Sequence, residues 1–170
     1  YRRQRQMCIR DRGLGGLIIL NLLEKTELSI EGILLFSPML ELKKDYKGRK
    51  NKLISNVGKI SKDTRFKVGI TPHDLTRNDE IIEETANDGL MLKKVTYSWY
   101  NLINEKMKET MDHIRDIKPI SALIMYGTKD KILETQSINE MKDKLKSKEM
   151  YFKVWDGLYL SLIHISEPTR

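Results

Sequence analysis

Cysteine is nearly missing from this chain, with Cys8 the single one in 170 residues. One cysteine cannot form an intrachain disulfide, and it excludes a metal centre built on cysteine. Histidine is scarce as well, at three, His73, His113 and His164. None of them pairs with a second ligand at metal spacing. No run approaches the roughly 20 apolar residues of a membrane span. The apolar stretch at Leu17–Leu23 is brief and lacks the small-residue cleavage site of a secretory leader. Gly13-Leu14-Gly15-Gly16 has neither the full glycine pattern of a phosphate cradle nor a Gly-Lys-Ser/Thr ending. No internal repeat or low-complexity segment breaks the chain.

What is present describes a globular protein, with 39% hydrophobic and 32% charged residues. That length can form one domain with a real core. The net charge of +7 points toward nucleic acid until its location is read. Of 31 basic and 24 acidic residues, the two ends hold six and two, leaving 25 and 22 between them. A net of +3 on that body is an ordinary surface. The ends read YRRQRQMCIRDR (1–12) and LSLIHISEPTR (160–170), and neither continues the periodicity of its neighbour. Both resemble translations of transposase adapters used in sequencing libraries. Residues 1–12 and 160–170 are therefore set apart as a non-native arm and tail.

The body alternates helix and strand. Leu17–Lys25 reads as an apolar helix, and Ile33–Phe36 as a buried strand stopped by Ser37-Pro38. Residues 39–91 are rich in Lys and Arg between Lys43 and Lys67. Weak signals come at Val57, Ile60, Phe66, Val68 and Ile70, with Gly58 and Gly69 between them. This is too long for a plain loop and reads as an inserted subdomain, with Lys43–Lys52 a solvated face. Asp79–Asn87 is a short helix. Val95, Trp99, Leu102, Ile103, Met107, Met111 and Ile114 recur at helical steps over Val95–Ile117, with Trp99 and Tyr100 expected in the core rather than lining a pocket, and His113 on the surface. Ala122–Tyr126 is a second buried strand, Gln136–Lys148 a helix and Met150–Trp155 a final strand. In an open parallel sheet, functional groups gather beyond the carboxyl ends of the strands. Asp130 falls there, although a solvated turn or an N-cap explains it equally well from this stretch alone.

Several segments together resemble the α/β-hydrolases, and within them the monoacylglycerol lipase and lysophospholipase group related to the serine aminopeptidases. Leu14-Gly15-Gly16 resembles the end of the family's Gly-His-Ser-Met/Leu-Gly-Gly elbow. Phe36-Ser37-Pro38 resembles the strand leading into the cap. Asp74-Leu75-Thr76-Arg77-Asn78-Asp79, and Asn87-Asp88-Gly89-Leu90 with Lys94-Val95-Thr96, resemble two further family segments. Tyr126-Gly127-Thr128-Lys129-Asp130 resembles the Gly-x-x-Asp that carries the acid. Trp155-Asp156-Gly157-Leu158-Tyr159 resembles the lead-in to the histidine. The resemblance implies the C-terminal part of a mostly parallel sheet with flanking helices. Residues 13–38 and 92–159 would be the core and 39–91 a cap.

The resemblance also implies a Ser–acid–His triad without cofactor or metal. Asp130 matches the acid that orients the imidazole. Leu14 matches the residue whose backbone N–H helps hold the oxyanion. The serine position falls at Gly13 and the histidine position at Leu160, so both groups are lost. The implied activity is hydrolysis of monoacylglycerol- or lysophospholipid-type esters by acyl transfer, with this chain itself inactive. The expected partners are a lipid ester and, through the cap, a membrane surface. The expected location is cytoplasmic. The rival readings are a small basic protein contacting nucleic acid through Arg2, Arg3, Arg5, Arg10 and the Lys43–Lys52 run, and a non-catalytic scaffold.

Overall fold

The computed structural model describes residues 8–44, 46 and 63–162. Arg2, Arg3, Arg5, Val57, Gly58, Ile60, His164 and most of the 43–52 run lie outside them. Among the described residues the main sheet has four parallel strands in the order β1-β2-β5-β6. These are β1 (Cys8–Arg12), β2 (Gly32–Phe36), β5 (Ser121–Gly127) and β6 (Met150–Trp155). The helices are α1 (Leu14–Lys25), α2 (Pro72–Leu75), α3 (Asp79–Asn87), α4 (Tyr97–His113) and α5 (Gln136–Lys144). A short antiparallel ribbon joins β3 (Arg65–Lys67) to β4 (Lys94–Thr96).

The arm set apart in the sequence supplies β1 through its last five residues. Its own pattern gives little sign of this, since only Ile9 packs against the core. The strand is made by its ladder to β2, from Cys8 opposite Gly32 to Arg12 opposite Phe36. A parallel pairing of this kind is invisible to local periodicity.

Alternation along the strands sends one row inward. Ile33, Leu35, Ala122 and Ile124 join Ile19, Leu20 and Leu23 of α1 and Ile138 and Met141 of α5 in the first core cluster. A second cluster gathers Leu17, Leu42, Val95, Tyr100, Met107, Ile132 and Leu133. Leu14 and Leu160 are packed against that second cluster.

The long helix begins later than its apolar pattern predicts. Val95 lies in β4, paired with Phe66, and Thr96 caps α4 by accepting from the Trp99 N–H at 3.2 Å. A β-branched Val completes the ribbon, and Thr ends it because its side chain can cap. Ile114–Asp116 forms a 3₁₀ turn after α4. Trp99, expected in the core, is 38% exposed, whereas its neighbour Tyr100 is 4% exposed. Tyr100 takes the inward position and meets the Phe66 ring edge-on at 5.4 Å between centroids. The helix after Asp130 ends at Lys144, earlier than Lys148. The β3–β4 ribbon pairs Phe66 of the inserted segment with Val95, just after it. No helix among the described residues is long and apolar enough to cross a membrane.

Candidate active site

The site is built where the parallel strands run out. Gly13 stands between the last residue of β1 and the first of α1, with φ 54° and ψ −116°. At that positive φ a residue with a side chain would be strained. Two hydrogen bonds fix it to the neighbouring strand exit: its N–H donates to the Phe36 carbonyl at 3.0 Å, and its carbonyl accepts from Met39 at 2.9 Å. The result is a sharp strand-to-helix turn whose tip faces the carboxyl edge of the sheet. Leu14 opens α1, so its N–H is among the first-turn donors that have no partner within the helix.

Asp130 follows β5 by three residues and is 2% exposed. One carboxylate oxygen, Oδ1, accepts from the backbone N–H of Ile132 at 2.8 Å and of Leu133 at 2.9 Å. These bonds hold the carboxyl in one orientation and make a capped turn, so the plain N-cap-like reading describes this half of the group. Burial pushes its pKa up from the ordinary 3.8, although the Leu133 and Ile132 N–H groups and the charge of Lys43 pull the other way. Burial makes the carboxylate costly to ionise, and these groups offset that only in part.

The chain after β6 turns back over this region. Gly127 can sit there only as glycine, because a Cβ would stand 2.2 Å from the Leu158 carbonyl oxygen. The Thr128 N–H donates to the Trp155 carbonyl at 3.0 Å, and the Lys129 N–H to the Leu158 carbonyl at 2.9 Å. The Ser37 hydroxyl donates to the Leu160 carbonyl at 3.4 Å. Leu14, Leu160, Ile132 and Leu133 therefore meet around one apolar cluster. The structure brings all four predicted positions, Gly13, Leu14, Asp130 and Leu160, to the same end of the sheet. Neither Gly13 nor Leu160 carries a nucleophile or a base.

Two residues of this region were missed in the sequence. Ser37 is fully buried and has φ 43°, the one positive-φ non-glycine among the described residues. The Ser-Pro pair marked the end of β2 but gave no sign of that conformation. Lys43 was read as part of a solvated charge run. Its ammonium instead donates to the Asp130 carbonyl at 2.5 Å. His113, expected on the surface, lies at the end of α4 and meets Asp116 at 3.1 Å. Among the described residues no group of three His, Cys, Asp or Glu side chains could hold a metal ion.

The serine aminopeptidase S33 family matches residues 7–165, nearly the whole chain and including β1. Phospholipase YtpA of Bacillus subtilis is 24% identical over 158 residues, covering 92% of this chain and 60% of its own length. Monoacylglycerol lipase of Paleococcus ferrophilus superposes with a TM-score of 0.83 at 20% identity, over 94% of this chain and 62% of the other. A soluble variant of monoglyceride lipase from Saccharomyces cerevisiae gives 0.78 at 18% identity, over 90% and 56%. This chain thus spans about three-fifths of the length of the relatives it matches. Its sheet is the carboxyl-side portion of an α/β-hydrolase, and by the extent of the match the chain belongs to the serine aminopeptidase S33 family.

Proposed function

We propose that this chain is part of a serine ester hydrolase acting on monoacylglycerol- or lysophospholipid-type lipids, and that the chain itself is inactive. The observation that carries the reading is the turn at Gly13. It has the positive φ and strand-to-helix setting in which hydrolases of this fold hold their nucleophile. Asp130 supports it from the next-but-one strand, as a buried, oriented carboxyl near the same edge. In the complete enzyme a serine at position 13 would attack the ester carbonyl. A histidine at position 160 would take its proton, and Asp130 would hold that ring by its Nδ1–H and stabilise the imidazolium. The N–H of Leu14 would donate to the oxyanion. With Gly13 and Leu160 in those places, the proton relay is broken at both ends.

The lipid assignment rests on the relatives' names and on the surface. Leu90 and Leu92 are 93% and 75% exposed, followed directly by exposed Lys93 and Lys94. Apolar tips beside cations suit contact with an anionic lipid surface. We take residues 1–12 and 160–170 as non-native and 39–91 as the cap of the complete enzyme.

The test is the source gene. Its product should carry a serine in place of Gly13 and a histidine in place of Leu160. It should hydrolyse monoacylglycerol and lose that activity to a serine-directed phosphonate. Changing the residue equivalent to Asp130 to Asn should lower kcat by about 10⁴. Turnover by the present chain that survives the phosphonate would overturn the proposal.

A further inference from the structure

We infer that Lys131 is a positioning residue, whose ammonium pins α2 and the loop after β6 to the loop that carries Asp130. Three segments distant in sequence meet at this one charge. Lys131 belongs to the Asp130 loop. Its Nζ donates to the His73 carbonyl in α2 at 3.0 Å. The same Nζ lies 4.4 Å from the centre of the Tyr159 ring, in the loop after β6. A cation over a tyrosine face is attracted by the ring quadrupole, so one group satisfies both neighbours.

The seam that Lys131 closes is not fully packed. A cavity of about 430 Å³ remains in it, lined among others by Thr76, Arg77, Trp155, Asp156, Tyr159 and Ser161. Other polar contacts cross the seam: the Thr128 hydroxyl donates to Asp156 at 2.9 Å and accepts from the Gly157 N–H at 2.9 Å. The Ser161 N–H donates to the Leu75 carbonyl at 2.9 Å, and the Lys129 N–H to the Leu158 carbonyl at 2.9 Å. An Arg77 guanidinium nitrogen lies 3.2 Å from where a Cβ on Gly157 would be. Leu160 anchors the far end of the loop to the second apolar cluster, and these polar links set the position of the stretch before it.

The geometry of α2 fits such a pin. Thr71 caps it, and its N–H and hydroxyl both donate to Asp74, at 2.8 and 2.7 Å. Burial alone would raise the Asp74 pKa. The Thr71 bonds, the Tyr46 hydroxyl and the charge of Lys131 outweigh it and hold the carboxyl below its ordinary 3.8. Lys131 therefore acts on this short helix through its hydrogen bond to the His73 carbonyl and, more weakly, through its charge on Asp74. Its bearing on catalysis rests on the hydrolase reading. The loop it fixes is the one that reading gives to the histidine, so the pin would set how the ring meets Asp130.

The experiment is amide exchange on the chain as it is. In Lys131→Met the Ser161 and Lys129 amides should exchange roughly three- to tenfold faster. The Leu35 and Ile124 amides in the sheet should stay unchanged, and Lys131→Arg should restore the parent rates. Unchanged exchange at Ser161 and Lys129, uniform acceleration that includes Ile124, or failure of arginine to restore would each overturn the inference. If Lys131→Met does not fold, Lys131→Gln carries the same comparison. The readout needs no activity, so an inactive source-gene product would sink the hydrolase reading and leave the pin standing.

Discussion

Burying Asp130 has a cost that pH exposes. Burial raises its folded pKa, and the two backbone donors and Lys43 only partly offset this. A carboxyl whose pKa is raised on folding contributes stability that is full below the ordinary 3.8 and is lost as pH rises through the folded midpoint. In an intact triad a neighbouring imidazole would share that burden. Under the proposed function Leu160 stands in its place. Asp130→Asn keeps the acceptor for Ile132 and Leu133 and removes the charge. The variant should melt at a higher temperature than the parent at pH 7, and the gap should close on titrating down toward the ordinary carboxylate value. A parent more stable than the variant at pH 7 would mean that the carboxylate is ionised and favourably held. The position of Asp130 was legible because a buried apolar run ending in Gly-x-x-Asp is a local signal. The partners of Asp130 were not. Lys43 sits in a sequence of lysines that all look alike, and only the fold selects the one that reaches its carbonyl.

The elements that could be read were those whose packing repeats along their own sequence. Asp79–Asn87 and Met150–Trp155 match their predicted bounds, because a cap at Asn78 and an apolar run define them locally. Elements made by distant partners were lost. β1 needs β2, and Val95 left its helix because Phe66 was waiting in β3. The same holds for the seam between α1 and α4, where polar groups meet that no spacing announces. Asn21 donates to Glu24 at 2.5 Å and to the Thr110 hydroxyl at 3.1 Å, and Lys25 meets Glu109 at 2.7 Å. Lys106 also pairs with Glu109, and these hydrogen bonds lower the Glu109 pKa to about 2. Glu24 goes the other way. Burial raises its pKa despite Lys25, its side chain is 3% exposed, and its Oε2 is buried without a hydrogen-bond partner. The stability Glu24 contributes is full below the ordinary 4.5 and is lost as pH rises through its folded midpoint. Glu24→Gln retains the acceptor for Asn21 and should stabilise the seam near neutral pH. Chemical denaturation at pH 7 and at pH 4 should show that gain shrinking in acid; a gain that grows in acid would contradict the assignment.

At the scale of the whole molecule, the two faces of the sheet are unequal among the described residues. Ile33, Leu35, Ala122 and Ile124 belong to the first core cluster, while Leu34, Phe36, Leu123 and Met125 between them are half-buried and join neither cluster. Register aligns this second row with Arg10 and Arg12 of β1 and with Tyr151 and Lys153 of β6. Parallel sheets are ordinarily buried on both faces. Here the chain spans about three-fifths of its relatives' length and shows an apolar row with basic flanks on one side. Through the part of it that is solvent-accessible, such a row should associate and bind apolar dyes. The basic flanks should oppose face-to-face pairing at low salt, so association should rise with ionic strength as those charges are screened. The asymmetry has a direct test in two adjacent residues. Ile124→Ala removes a fully buried side chain and should cost about 2–5 kcal/mol. Leu123→Thr should cost less than about 1 kcal/mol, a value typical of surface changes, while reducing dye binding and salt-induced association. Equal losses at the two positions, with dye binding unchanged, would show that the row is already covered. The sheet would then be closed on both faces within this chain, and the fold would be more complete than its length against its relatives suggests.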